Sequence, residues 1–347
     1  MADRIRVLIL GTGQMGSGIA RLVHDKQGME LVGAFARRPE RGGQDLGTLI
    51  GLGQNIHIPI SNDLAQIVRQ TKPHVAIQAT CSRLSDALEE VTVLLRNQVN
   101  VISITEEMAY PACTSAAIAR ELDVLAIEKG VVLLGTGVNP GFVLDLLVIA
   151  LSGVCSQIQS IRAKRVNDLS PYGPTVLDAQ GVGFTPDAFS QGLKSGKVAG
   201  HFGFRESIAM ISNTLGWEIE HVEETREPII SRVRRTTPFV TVEPGWVAGC
   251  HHTAVAYCEG RPVINLVHPQ QVHPHLEGID TGDWIEIEGT PDLSLAGSPE
   301  IPGGMATIAL AVNMIPRVLN AAPGLHLMAD LPVPAAILGD ARRLIGV

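Results

Sequence analysis

A glycine-rich turn near the start of the chain constrains its fold more than any other feature. The apolar run 7–10 leads directly into Gly11-Thr12-Gly13-Gln14-Met15-Gly16, which has the spacing G-x-G-x-x-G, and a helix is predicted over 15–24. In such a unit the first glycine permits a tight turn, the second lets the backbone approach a pyrophosphate, and the third lets the helix pack on the strand. Anions bind at helix N-termini because free N–H groups and the helix dipole favour them. We therefore expect these six residues to bind a dinucleotide.

The end of the second predicted strand indicates which dinucleotide. An NAD site usually ends this strand with Asp or Glu, which accepts hydrogen bonds from the ribose. Here the strand 31–35 is followed by Ala36-Arg37-Arg38, which brings two guanidinium groups and no carboxylate. Because a guanidinium matches a phosphate in fork geometry, Arg37 and Arg38 predict NADP, with both side chains on the 2′-phosphate. A solvated basic turn is the alternative.

Residues 1–140 alternate apolar strands with helical stretches, a pattern typical of a doubly wound parallel sheet. The predicted strands are 6–10, 31–35, 75–79, 99–104 and 131–134, and a further helix is predicted over 142–152. Ligands of such sheets bind at the carboxyl ends of the strands. From the loops at those ends, Ala79, Thr80 and Asn139 are expected to contact the cofactor, and Phe142 the substrate.

From about residue 158 the pattern changes to strands with period-2 alternation, predicted at 161–166, 238–242, 253–258, 263–267 and 284–288. These predict an antiparallel or mixed sheet with a few helices on it. The apolar stretch 306–319 predicts a buried helix that returns to the first domain. The fold class is therefore α/β: a Rossmann domain, 1–140 with 305–347 packed back on it, and an α+β substrate-binding and dimerisation domain, 141–304.

Composition excludes several kinds of partner. The net charge of −8 disfavours nucleic acids and anionic membranes, which need a clustered positive field. The longest apolar run, 142–150, contains Asp145 and is too short to span a bilayer. A strand begins almost at once, so no signal peptide is expected. Five cysteines without a C-x-x-C pair are typical of a reducing compartment. We expect a cytoplasmic protein that acts on a small molecule.

Two adjacent carboxylates, Glu106 and Glu107, follow the predicted strand 99–104. Neighbours on an extended segment point to opposite sides, so one of them is expected to face the nicotinamide. Two-domain dehydrogenases of the sugar and homoserine type carry a Lys at this strand end, and Glu107 takes that position. Glu107 is therefore the predicted catalytic residue and Glu106 the alternative. Solvated strand-end charges or a helix-cap pair would be the non-functional interpretation.

A carboxylate in place of Lys suits an amine substrate. Hydride can leave carbon only from a neutral amine, so an ammonium substrate needs a base that first attracts and then deprotonates it. Burial beside the nicotinamide would raise the pKa of such a carboxylate toward the working range. The same group can then orient the water that attacks the iminium.

Polar residues at the start of the second domain are candidates for substrate contacts. The stretch 162–175 concentrates charged and polar groups that could meet a carboxylate and a second ammonium. The candidates are Arg165, Asn167, Tyr172 and Thr175. His201 is a further candidate. An exposed turn for the four, and a core histidine for His201, are the alternatives.

Two other chemistries are disfavoured. Cys81 lies at a strand end, but no neighbouring His would activate it as a nucleophile for aldehyde oxidation. Histidines cluster at 251–252 and 268–275, yet Pro269 and Pro274 make the second group an extended segment rather than a compact zinc motif. No metal is expected.

Long strings of the sequence resemble a known enzyme family. They are GTGQMGSG, ITEEMAYP, GTGVNPGFVLD, NDLSPYGPTV, GWEIEHVEETREPI, VEPGWVAGCHHTAV, HPQQVHPHLEG and EIPGG. These resemble the 2,4-diaminopentanoate dehydrogenases of bacterial ornithine fermentation, which look like the source group of native amine dehydrogenases. The resemblance covers residues 5 to 338.

The resemblance implies a dihydrodipicolinate-reductase-like two-domain fold and a homodimer. It implies NAD(P)-dependent oxidation of the 4-amino group of 2,4-diaminopentanoate to 2-amino-4-oxopentanoate and ammonia, reversible as reductive amination, with Glu107 as the catalytic carboxylate and NADP or NAD as cofactor. A broader amine dehydrogenase for simple amines, an imine reductase like dihydrodipicolinate reductase, and a non-catalytic NADP-binding regulator are the alternatives. The exact amine, its stereochemistry and the physiological direction stay open.

Overall fold

The computed structural model describes residues 4–346, which form two compact units. Unit 1 runs to Phe142 and resumes at Gly303, and unit 2 covers Val143–Pro302. The borders predicted from the sequence lie between 140 and 141 and between 304 and 305.

Strands and helices are numbered in chain order. The strands are β1 (Ile5–Leu10), β2 (Met29–Phe35), β3 (Ile60–Ser61), β4 (Val75–Gln78), β5 (Asn100–Ser103), β6 (Val132–Gly135), β7 (Gln157–Asp168), β8 (His221–Ile230), β9 (Arg235–Thr236), β10 (Thr241–Val242), β11 (Val247–Cys258), β12 (Arg261–Gln271), β13 (Gly282–Thr290), β14 (Leu293–Gly297) and β15 (Gly324–His326). The helices are α1 (Gln14–Asp25), α2 (Leu46–Leu49), α3 (Leu64–Thr71), α4 (Leu84–Arg96), α5 (Ala116–Lys129), α6 (Leu146–Ser152), α7 (Pro174–Ala179), α8 (Pro186–Ser195), α9 (Phe204–Leu215), α10 (Gly303–Asn313) and α11 (Ile315–Asn320).

Unit 1 is built on a parallel sheet. Its strand order is β15-β6-β5-β4-β1-β2-β3, and every pairing in it is parallel. Four successive apolar residues of β1, Val7 to Leu10, are fully buried, as expected for a strand covered on both faces. The predicted Rossmann-type sheet is confirmed. The sequence analysis missed β3 and β15, which have two and three residues and carry too few positions for a pattern.

The C-terminal part of unit 1 differs from the single helix predicted over 306–319. The structure has two helices, α10 and α11, with Met314 between them. Pro316 lies in the first turn of α11, where its missing N–H is tolerated. Helix α10 packs on α1, and a Cβ on Gly18 would lie only 2.3 Å from Ile308 Cδ1. The glycine therefore lets the two helices approach closely.

Unit 2 contains a mixed sheet, as predicted. The order is β14-β13-β7-β12-β11-β8, in which only the β12–β7 pairing is parallel among the described strands. A separate two-stranded ribbon joins β9 and β10. Strand β8 was not predicted because its charged residues come in adjacent pairs, Glu223-Glu224 and Arg226-Glu227, and therefore fall on both faces of a strand at the sheet edge.

Two further predictions for this region were wrong in extent. The strand predicted over 238–242 is reduced to Thr241–Val242, and the helix predicted over 142–152 begins only at Leu146. Asp145 is the reason for the later start, because its carboxylate accepts a hydrogen bond from Leu146 N at 2.7 Å and caps the helix. Ser207 of α9 donates to the same buried carboxylate at 2.9 Å, and this bond links α9 to α6.

Within residues 4–346 no helix has the length and apolarity needed to cross a bilayer.

Candidate active site

The glycine turn has the geometry that a dinucleotide requires. Gly11 adopts φ +100°, and a Cβ there would lie 2.4 Å from the Ala79 carbonyl oxygen. A Cβ on Gly16 would lie 1.9 Å from Gly11 O, so the helix could not pack on the turn. A Cβ on Gly13, in contrast, would meet nothing within 4 Å. The first and third glycines are therefore fixed by the fold, and the second leaves open space above the backbone.

The N-terminus of α1 is free to receive an anion. Its N-cap, Gly13, offers no side-chain cap, and no acidic residue occupies the first turn. Gly13 and Gln14 are exposed, whereas Thr12 and Met15 are half-buried. Uncapped N–H groups at a helix N-terminus bind phosphate well. The residues present thus fit the pyrophosphate of a nucleotide cofactor.

The two arginines after β2 have different surroundings. Arg37 donates from Nε to Glu90 Oε1 at 2.6 Å and from Nη2 to Asp86 O at 2.6 Å. Within the described residues the Arg38 guanidinium has no ion pair, and its backbone oxygen is held by Asn62 Nδ2 at 3.0 Å. The sequence analysis gave both arginines the same role. In the structure Arg37 is held against α4, while Arg38 is available for a phosphate.

A buried polar network at the ends of β4 and β5 was missed by the sequence analysis. Gln78 Oε1 accepts from Ser103 Oγ at 2.6 Å and from Thr105 Oγ1 at 2.9 Å, and Gln78 Nε2 donates to Thr80 Oγ1 at 2.6 Å. Thr80 in turn donates to Glu90 Oε2 at 2.5 Å, so the network reaches the Arg37 pair. The polar Gln78 at the end of an apolar strand is the signal that could have indicated it.

The carboxylates Glu106 and Glu107 occupy a 3₁₀ turn, Glu106–Ala109, rather than an extended segment. The alternation argument used to choose between them therefore does not apply. Glu107 Oε2 accepts a hydrogen bond from Leu84 N, the first residue of α4, at 2.7 Å. Arg83, the N-cap residue of that helix, provides no side-chain cap, so Glu107 supplies it.

Glu106 has the electrostatics of a general base. Burial raises its pKa to about 7, and the charge of Glu107 adds to the rise, although a hydrogen bond from Ser82 opposes it. A carboxylate whose pKa lies near neutrality is poised to exchange protons under working conditions. The 79–82 loop connects the two features, since Ala79 contacts the glycine turn and Ser82 bonds to Glu106.

The other predicted residues of unit 1 lie at the same sheet edge. Asn139 and Phe142 are half-buried in the turn after β6, where Val138 N donates to Thr307 Oγ1 at 3.1 Å. Cys81 is half-buried and lies 3.7 Å from the Thr105 hydroxyl.

Two predicted substrate residues of unit 2 serve as buried structural groups. Arg165 is 2% exposed, and it donates from Nη1 to Asp283 Oδ1 at 2.7 Å and from Nη2 to Ile301 O. Asn167 Oδ1 is paired with His268 Nε2 at 2.9 Å. Both terminal nitrogens of Arg165 are thus occupied within unit 2. The substrate contacts expected of Arg165 and Asn167 stay predictions.

Tyr172, Thr175 and His201 have separate environments in unit 2. Tyr172 is half-buried and packs against a small apolar cluster that includes Leu169 and Leu177. Thr175 is exposed in α7. His201 is enclosed by aromatic rings, with ring centroids 4.9 Å from Phe204 and 4.7 Å from His268.

His201, which is half-buried, and the buried His252 and His268 form a histidine group that the sequence did not predict as a unit. His252 Nδ1 accepts from His201 N at 3.0 Å, and His252 Nε2 lies 3.2 Å from Glu224 Oε2. Burial lowers the pKa of His201 and His268 well below the ordinary value, and neighbouring histidines and Arg165 lower it further. The bond from His252 holds the pKa of Glu224 at about 2. The group is therefore neutral at physiological pH apart from the ionised Glu224.

Known proteins are similar to this chain over nearly its full length. The family model for the C-terminal domain of 2,4-diaminopentanoate dehydrogenase matches residues 142–347, and that for the N-terminus of dihydrodipicolinate reductase matches residues 5–108. A 2,4-diaminopentanoate dehydrogenase from Acetoanaerobium sticklandii is 42% identical, over 99% of this chain and 98% of the relative.

The chain belongs to the 2,4-diaminopentanoate dehydrogenase family. An amine dehydrogenase from Streptomyces virginiae is 26% identical over 96% of this chain and 98% of its own. The solved structure of an amine dehydrogenase from Mycobacterium smegmatis superposes with a TM-score of 0.85 at 31% identity, covering 95% of this chain and 97% of that one. The predicted membership of the 2,4-diaminopentanoate dehydrogenase family and the predicted fold are thus confirmed.

Proposed function

We propose that this protein is an NAD(P)-dependent dehydrogenase that oxidises the 4-amino group of 2,4-diaminopentanoate, or of a close diamino acid, to the ketone and ammonia. The name of the relative that is 42% identical over the full chain supports this substrate. The enzyme class, a dehydrogenase acting on amine donors, is shared by the relatives named above.

One observation of the structure supports this chemistry most strongly. A carboxyl group with a pKa of about 7, Glu106, lies one loop away from an open glycine turn at the same edge of a parallel sheet. The carboxyl edge of such a sheet is where nucleotide cofactors bind. The proposal therefore places a base beside a redox cofactor.

Residues of unit 1 bind different parts of the nucleotide cofactor. The N–H groups at the start of α1 bind the pyrophosphate, and the backbone at Gly13 lies against it. Arg38 meets a 2′-phosphate when NADP is bound, and NAD binds without that contact. The bound nicotinamide supplies a hydride acceptor.

Glu106 acts on the amine. Its ionised form attracts the substrate ammonium and removes one proton, which leaves the neutral amine from which the hydride on C4 can depart. The product of that step is an iminium. Glu106 passes the abstracted proton to solvent, and the regenerated carboxylate orients and deprotonates the water that adds to the iminium carbon. Glu106 then delivers that proton to the amino nitrogen and takes up the hydroxyl proton as the adduct breaks down. Collapse of the adduct releases ammonia and the ketone. Glu107 keeps Glu106 in place by anchoring the 3₁₀ turn to α4.

Substrate contacts in unit 2 are proposed for Tyr172, Thr175 and His201, whereas Arg165 and Asn167 shape their surroundings. We further propose a homodimer that works in the cytoplasm in ornithine degradation, as the family resemblance implies.

The direct test is a spectrophotometric assay of NADH and NADPH formation with a panel of amines. We expect kcat/KM for 2,4-diaminopentanoate to exceed that for 2-aminopentane at least tenfold, because an unmet buried polar group costs about 1 to 3 kcal/mol. The second candidate, a broader amine dehydrogenase, is favoured by the relatives named amine dehydrogenase. Equal use of the two substrates would select it, and activity with neither would refute the proposed function.

A further inference from the structure

Three potential metal ligands, none of which has a role in the proposed catalysis, converge in unit 2. Asp168, His273 and His275 each offer one ligand atom, and these atoms all lie within 4.8 Å of one another. The convergence follows from the sheet. Strands β7 and β12 run parallel, with Asp168 in register with Gln271, so the residues that follow both strands meet at one edge.

The Asp168 carboxylate is held in place by the chain around it. Its Oδ1 accepts hydrogen bonds from Ser170 N at 2.8 Å, from Ser170 Oγ at 2.5 Å and from His273 N at 3.0 Å. Within the described residues Oδ2 has no hydrogen-bond donor, so it can face a cation. His273 adopts φ +46°, a conformation that non-glycine residues rarely take.

The His273 ring is oriented as a metal ligand usually is. Its Nε2 lies 2.9 Å from Thr236 O, a backbone carbonyl that can only accept, so the proton is on Nε2 and Nδ1 keeps its lone pair. Metal-binding histidines typically donate their second N–H to such an acceptor, which fixes the tautomer. The His275 ring packs edge to face on His273, with centroids 5.6 Å apart, and is exposed at the surface.

The local charge favours a cation. Glu300 Oε1 accepts from Asp168 N at 3.2 Å, which brings a second carboxylate to the same strand end. The buried guanidinium of Arg235 donates to the backbone oxygen of His273 at 3.4 Å, and Glu277 neutralises it through an ion pair.

We propose that Asp168, His273 and His275 bind one divalent transition-metal ion of the zinc class. Two imidazoles and one carboxylate suit Zn²⁺ or Co²⁺ and do not suit Mg²⁺ or Ca²⁺, which prefer all-oxygen ligands. Water completes the coordination. The ion would tie the end of β7 to the segment after β12 and stabilise unit 2. The sequence analysis expected no metal because Pro269 and Pro274 make the histidine segment extended. Asp168, which is distant in sequence and adjacent only in the fold, did not enter that argument.

The test uses the full-length protein without a polyhistidine tag, stripped with a chelator. Isothermal titration with Zn²⁺ should give one site per chain, and Co²⁺ should produce a visible d–d spectrum with nitrogen ligation. His275→Ala should weaken binding at least about tenfold, since even outer-shell partners of a metal contribute that much. His251→Ala is the matched control: it removes another partly exposed histidine of unit 2 and should leave the affinity unchanged.

Asp168→Asn provides a second variant that preserves the hydrogen bonds to Ser170 and His273, because the amide oxygen still accepts them. It should fold like the parent, shown by an unchanged thermal midpoint of the stripped protein, and bind Zn²⁺ at least about tenfold more weakly. Zinc should raise the thermal midpoint of the parent and not that of the variant. Absence of a stoichiometric site, binding that persists in both variants, or an equal loss in His251→Ala would overturn the proposal. None of these readouts depends on the proposed enzymatic activity.

Discussion

Glu107 Oε2 lies 2.7 Å from the backbone nitrogen of Leu84, so the carboxylate of one 3₁₀ turn caps the helix that follows the neighbouring strand. This bond separates two residues that look equivalent in sequence. The Glu107 carboxylate accepts a hydrogen bond from the backbone of Leu84, whereas burial raises the pKa of Glu106 to about 7. The structure therefore favours Glu106 as the base, opposite to the preference that the sequence resemblance gave.

The first prediction distinguishes the two glutamates by isosteric substitution. Glu106→Gln should lower kcat by at least ~100-fold, the usual size of a general-base contribution, because an amide cannot take the proton. Glu107→Gln should retain most activity, since its amide oxygen can still accept from Leu84 N. Steady-state assays of both variants at saturating cofactor provide the measurement. A large loss in Glu107→Gln with full activity in Glu106→Gln would return the catalytic role to Glu107.

The second prediction concerns the pH dependence of activity. Because Glu106 must be ionised to act as a base and its pKa is about 7, kcat/KM for amine oxidation should rise as the pH increases through neutrality. The proposed mechanism takes up the substrate as its ammonium form, so kcat/KM should fall again at the higher pH where that ammonium loses its proton. The inflection near neutrality should be missing from the residual activity of Glu106→Gln. A parent profile that is flat between about pH 6 and pH 8 would contradict the assignment.

The third prediction concerns stability and follows from the same pKa. In the unfolded chain Glu106 titrates at its ordinary 4.5, and in the folded protein at about 7. Between these values the folded state binds more protons, so the free energy of unfolding falls as the pH rises through this window. The variant Glu106→Gln has no titrating group at this position, so its stability should not fall in this way. Its thermal midpoint should therefore rise relative to that of the parent as the pH increases from about 5 to about 8. A difference that is constant with pH would show that the pKa of Glu106 is not raised.

The fourth prediction separates the two arginines after β2. Arg38→Ala should lower kcat/KM with NADP about tenfold or more and leave NAD largely unaffected, because a charge-assisted contact to phosphate contributes roughly 1.5 to 3 kcal/mol. Arg37→Ala should instead leave the buried Glu90 carboxylate without its cation, lower the thermal midpoint, and affect both cofactors alike. Parallel kinetics with NAD and NADP test both statements. If Arg37→Ala alone changed the cofactor preference, the 2′-phosphate contact would belong to Arg37.

The fifth prediction tests Arg165 as a structural residue. Arg165→Met should destabilise the protein by about 3 to 5 kcal/mol, because it leaves the buried Asp283 carboxylate without its cation. Adding Asp283→Leu removes that charge and should restore most of the thermal midpoint. The stable double variant should then bind the diamino acid with a KM within a few-fold of the parent. A stable double variant with a greatly raised KM would show that Arg165 contacts the substrate after all.

The sequence by itself determined the Rossmann sheet and the glycine turn that we propose binds the dinucleotide. Both are local, because the buried strand β1, the glycine spacing 11–13–16 and the start of α1 lie within one short segment. The mixed sheet of unit 2 was also visible in the period-2 pattern of its inner strands. The pattern did not reveal the edge strand β8, because charged residues at a sheet edge weaken the period-2 alternation.

What only the tertiary structure decided is which polar groups are already paired. Glu107 is paired with Leu84, Arg37 with Glu90, and Arg165 with Asp283, and every one of these partners lies more than twenty residues away in the chain. The same contacts determine which groups remain available, such as Glu106 and Arg38. Residue type and spacing indicate which chemistry a side chain could perform. Whether it performs that chemistry depends on burial and on partners brought together by folding, and neither has a local pattern in the sequence.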